Sequence, residues 1–89
     1  MFPETLDGAK VLFYTSKGNY GVMRYTTGEV FDNILYYAIC KYENDTRFYL
    51  FGCNADFEVI TDCLWDSVEE CQHIAQSSCN LEISWVQKY

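Results

Sequence analysis

Cys63, Cys71, His73 and Cys79 lie close together in the chain and include its only histidine. As residue types they would suit a tetrahedral zinc ion. Their spacing argues against it. Cys71 and His73 are two apart on a predicted helix and so point about 200° apart around an axis of 3.6 residues per turn. No Cys-x-x-Cys pair is present either. Cys71 is better read as a small buried apolar residue. As a nucleophile it would gain from a helix N-terminus, but it falls inside the helix on the packed face, where thiols are inert. His73 is expected on the exposed side without an acid-base partner, so no triad is expected. Asp56, Glu58, Asp62 and Asp66 cluster in sequence, yet carboxylates at strand ends and helix caps are usually structural. Gly18-Asn19-Tyr20-Gly21 lacks the lysine and the following helix that a phosphate loop requires. No catalytic residue, metal ligand or cofactor site is therefore expected.

A different chemistry surrounds Trp65, where Asp62, Asp66, Glu69 and Glu70 place carboxylates around one indole. Acid beside aromatic is the surface of a binder for a basic partner, so these five residues are the partner-binding candidates. The plainer reading, that Trp65 staples the helix entrance, takes precedence as a local explanation. Thirteen acidic residues against six Lys and Arg leave a formal charge of −7. Such a surface repels phosphate backbones, which disfavours DNA, RNA and anionic membranes and favours a protein with a basic surface. The charge also serves solubility alone. Eight Tyr, six Phe and two Trp are more rings than so short a chain can enclose, so some must reach the surface.

These residues need elements to hold them. Residues 10–15 are β-branched and aromatic and end at the turn-rich Ser16-Lys17-Gly18-Asn19, which predicts a strand and a turn. A second strand is expected over 20–26, closed by Thr27-Gly28. The run 34–42 is apolar on both alternating faces and reads as a central strand, although a helix could also use it. Strand is preferred because Arg47-Phe48-Tyr49-Leu50-Phe51 follows after a short polar connection. Phe57, Val59 and Thr61 share one face of a third strand, completing a meander. Ser67 with Glu70, or Asp66 with Glu69, forms a capping box that opens an amphipathic helix. Its packed stripe is Val68, Cys71, Ile74, Ala75 and Ser78, with Glu69, Gln72, His73 and Gln76 opposite. Cys79-Asn80 ends it. Leu81, Ile83 and Trp85 then alternate as the inner face of a final strand over 81–88, with Trp85 in the core and Trp65 nearer the surface. Pro3 lies in a start expected to fray.

The result is one α+β domain over residues 1–89: a mainly antiparallel sheet of about five or six strands, one helix in the C-terminal half, and a last strand. With 49% hydrophobic and 21% charged residues the chain should fold. The opening Met1-Phe2-Pro3-Glu4 lacks the pattern of a signal peptide, and no segment approaches the length of a membrane span. An odd set of five cysteines argues for reduced thiols, and the expected location is the cytoplasm.

The stretch Asp62-Cys63-Leu64-Trp65-Asp66-Ser67-Val68-Glu69-Glu70-Cys71, with the closing Ile83-Ser84-Trp85, resembles a pattern in small bacterial cytosolic proteins. Many of these are uncharacterised and some look like immunity proteins of toxin systems. The resemblance covers the last third of the chain, departs at Cys71 and near Cys79, and implies a stoichiometric binding protein. The alternatives are a small-molecule-binding or enzymatic domain with a pocket between helix and sheet, and a domain that forms a homodimer through an edge strand or tyrosine face.

Overall fold

The computed structural model describes residues 2–88. The sheet is built on β5 (Tyr36–Lys41), in which Tyr37, Ala38, Ile39 and Cys40 are all buried, so both faces of the strand are covered. On one side β5 pairs antiparallel with β2 (Ala9–Thr15), and on the other with β6 (Phe48–Cys53), which pairs in turn with β7 (Val59–Trp65). The far side of β2 is shared. Its beginning pairs with the short β1 (Thr5–Leu6) and its end with β8 (Trp85–Gln87), completing an antiparallel sheet of six strands. The chain is α+β, with one helix among the described residues, α1 (Val68–Ser77), packed on β5, β6 and β7.

A separate ribbon, β3 (Gly21–Arg24) with β4 (Val30–Ile34), extends beyond the sheet. The apolar run read as one strand breaks at Leu35. There the amide donates to the Cys53 carbonyl and the carbonyl accepts from Gly18 N–H, at 2.8 and 2.9 Å, so Ile34 belongs to β4 and Tyr36 to β5. The ribbon exposes Val22, Tyr25, Val30 and Phe31, and the rings of Tyr25 and Phe31 meet edge to face.

Two apolar layers result from strand alternation. Tyr37, Ile39 and Leu50 face the helix and pack with Tyr20, Ile34, Cys71 and Ala75. Ala9, Val11, Ala38, Cys40, Phe51 and Cys53 face the other way. That second face is covered by Leu6 and by Phe2, whose ring stacks on Tyr14 at 4.6 Å and meets Tyr36 and Phe57 edge-on. The expectation of a frayed start is thus overturned from residue 2 onward. A sheet with one helix has one face uncovered, and the apolar Phe2 seals it. The Glu4 carbonyl accepting from Val11 N–H and the Phe2 carbonyl accepting from Lys88 Nζ hold the segment down.

Two further expectations are corrected. Phe57, Val59 and Thr61 do not share a face: a bulge opposite Gly52 and Cys53 inserts Ile60, leaving Val59 on the Phe2 side and turning Thr61 to the helix side. The last strand does not span 81–88. Gln76 of the helix takes the backbone instead, its amide donating to the Leu81 carbonyl at 2.7 Å and its oxygen accepting from Ile83 N–H at 3.0 Å. Those groups are then satisfied without a strand partner, and Leu81 is left exposed.

Candidate functional site

The helix start organises the candidate residues. Ser67 is the N-cap, its hydroxyl oxygen accepting from Glu70 N–H at 3.1 Å. The Glu70 carboxylate reaches back to accept from Asp66 N–H at 3.4 Å. Of the two capping boxes the sequence allows, the structure uses Ser67 with Glu70, and Asp66 lies just outside the helix. Its carboxylate stands 3.5 Å from Arg47 Nε in an exposed ion pair.

Trp65, the last residue of β7, lies opposite Phe48 and points to the helix side, packing on the same apolar cluster as Trp85. Both indoles are half-buried, so the contrast expected between a core Trp85 and a surface Trp65 is not what the fold produces. The indole Nε1 of Trp65 is shielded from solvent and has no hydrogen-bond acceptor. Beside it the helix contributes Glu69, Glu70, His73 and Ile74, and the five side chains line a shallow groove of about 310 Å³. The Glu69 carboxylate makes no ion pair or hydrogen bond within the described residues and is unengaged.

Not all the candidates converge. Asp62 lies opposite Phe51, three residues before Trp65 on an alternating strand, and therefore stands on the other face of the sheet. Trp65, Glu69 and Glu70 share the groove, Asp66 stands at the helix entrance, and Asp62 is apart from both. His73 and Ile74 were not among the candidates. Their signal was helical spacing, each standing four residues after one of the two glutamates.

The thiols are dispersed. Cys40, Cys53 and Cys71 are buried, Cys79 is half-buried and Cys63 is exposed. Burial, chiefly, pushes Cys53 and Cys71 up to about 12 and raises Cys40 further. These three are protonated, unreactive packing groups at neutral pH. Cys71 and His73 are on opposite sides of the helix, and among the described residues no three His, Cys, Asp or Glu side chains are grouped to hold a metal. No described helix is long and apolar enough to cross a membrane.

No protein-family model, curated protein or solved structure matches the chain. The groove and the chemistry of its lining are the basis for a functional reading.

Proposed function

We propose that the chain is a small, non-catalytic protein-binding module whose groove at Trp65 takes a basic segment of a protein partner. The observation that carries this is the joining of an apolar indole floor to the unengaged Glu69 carboxylate in one concavity. A partner's Lys or Arg would lie over Trp65 and beside Glu69, gaining from both ring and carboxylate. The formal charge of −7 steers such a partner toward the surface and repels nucleic acid. An immunity-type inhibitor of a toxin is the biological form the C-terminal pattern suggests, in the cytoplasm, where the five unpaired cysteines would stay reduced.

Titration of the ¹⁵N-labelled chain with an arginine-rich peptide tests this. Saturable shifts of the Trp65 indole N–H and of the Glu69 and His73 amides are expected, weakened roughly tenfold by Glu69→Lys, about what losing one charge-assisted contact costs. Shifts spread evenly over the acidic surface would refute a defined site. The immunity form adds that co-expression should rescue growth from the toxic product of an adjacent gene.

Self-association has one observation in its favour: among the described residues β7 has β6 on one side and no strand on the other. The bulge at Ile60 and the exposed Asp62 blunt that edge, which is how edges are kept from pairing. Sedimentation of a dimer that Leu64→Lys dissociates would favour this reading instead.

A further inference from the structure

Tyr37 is only 5% exposed, and its backbone N–H is satisfied by Thr15 Oγ1 at 3.0 Å. Its hydroxyl has no hydrogen-bond partner within the described residues, yet it is not sealed off from solvent. Buried phenols ordinarily bond to the protein, so one with no acceptor in the protein keeps its proton available to whatever occupies the open space before it. The space is a cleft of about 320 Å³ between β3, β7 and α1, with Ile34 and Leu50 at its base and Tyr20, Thr61, Cys63 and Ile74 around it. The neighbouring Tyr20 hydroxyl is already engaged, donating to the Ser16 carbonyl at 2.8 Å.

Among the described residues no Asp, Glu, Lys, Arg or His lines the cleft, in a chain whose composition is strongly acidic. An anionic ligand would find no countercharge there and a cation no carboxylate. We infer that this cleft binds a small, neutral, largely apolar ring compound whose ketone or ether oxygen accepts a hydrogen bond from Tyr37. The volume is ample, since a cavity of about 150 Å³ already accepts a benzene. Burial, with Cys79, Cys63 and Tyr20 nearby, raises the Tyr37 phenol above its ordinary 10.0, so at neutral pH it keeps the proton it would donate. Through Tyr20, Gly21, Val22 and Ser78 the cleft continues into an open hollow at the C-terminal end of the helix, which provides the way in. It shares only Ile74 with the groove at Trp65, so this inference does not depend on the protein-binding reading.

The test is NMR titration of the ¹⁵N-labelled chain with acetophenone, ethylbenzene and benzoate. Acetophenone should give saturable shifts at the amides of Tyr20, Leu50 and Cys63. Tyr37→Phe should weaken it roughly three- to tenfold, the range for one neutral hydrogen bond, while ethylbenzene, which has no acceptor, binds native chain and variant alike. Benzoate should leave the cleft unperturbed. Non-saturating shifts, shifts centred on the Trp65 groove, benzoate binding as tightly as acetophenone, or undiminished acetophenone binding by Tyr37→Phe would each overturn the inference. If Tyr37→Phe lowers the melting temperature, Cys63→Phe replaces it: crowding the cleft from an exposed position should abolish acetophenone binding, and unchanged binding would equally overturn the inference.

Discussion

A cysteine in this chain is defined by where its strand or helix turns it. Cys40, Cys53 and Cys71 have no exposed surface, while Cys63 on the edge strand meets solvent. In the folded chain a thiol reagent should therefore label Cys63 first and Cys79 next, the other three reacting only after denaturation; mass spectrometry of partly labelled protein checks this. Burial also links the thiols to stability. Their folded values, about 12 for Cys53 and Cys71, lie above the ordinary 9.0, so the native state retains protons that the unfolded chain releases. That contribution is complete below about pH 9 and is lost as pH rises toward about 12. Melting temperatures measured between about pH 8 and 11 should decline, and a flat profile would contradict burial of the thiols. The two tryptophans make a second residue-level case. Because Trp65 and Trp85 are both half-buried in one cluster, their alanine variants should lose similar stability, each less than the ~3–5 kcal/mol of a fully enclosed aromatic. Urea unfolding of the pair would show whether one indole instead dominates.

At the scale of elements, the contact between β6 and β7 depends on an absent side chain. A Cβ at Gly52 would collide with Thr61 Oγ1 and stand 3.2 Å from Ile34 Cγ2, because the bulge at Ile60 has turned Thr61 inward at that point. Gly52→Ala should destabilise by about 1–3 kcal/mol, the usual cost of overpacking, and Thr61→Ala in the same chain should restore part of it. Denaturant midpoints of the two single variants and the double variant measure the coupling; strict additivity would mean that Thr61 is not the obstacle. The same bulge explains why period-two reading failed beyond Phe57. Alternation assumes one residue per step, and an inserted residue exchanges the faces after it. The final strand failed for another reason, since Gln76, seven residues before Ile83, satisfied the backbone that the pattern had assigned to a sheet.

Over the whole molecule, the beginning and end of the chain close the fold together. Phe2 covers the sheet face that the helix does not, and Lys88 donates to its carbonyl while its ammonium group stands 5.6 Å from the centre of the Tyr14 ring. Phe2→Ala should cost about 3–5 kcal/mol, a large share of the ~5–15 kcal/mol typical of a small fold. Thermal or urea unfolding would reveal it, and a loss below about 1 kcal/mol would show that the aromatic layer of Tyr14, Tyr36 and Phe57 closes without Phe2.

The sequence by itself determined the features set by neighbours within one or two turns: the existence of a central strand in its two-sided apolar run, though not the break at Leu35, the cap at Ser67, the stripe through Cys71 and Ala75, and so the α+β class. It also showed acid around Trp65, because those residues are near one another along the chain. Only tertiary structure decided that Asp62 stands on the other face, that Phe2 belongs to the core, and that Tyr20, Tyr37, Thr61 and Cys63 surround one cleft. Local patterns record a preference for burial without naming the partner. Which residues meet depends on strand order, on a single inserted residue and on which face the helix leaves uncovered, and these are settled by contacts between segments distant in sequence.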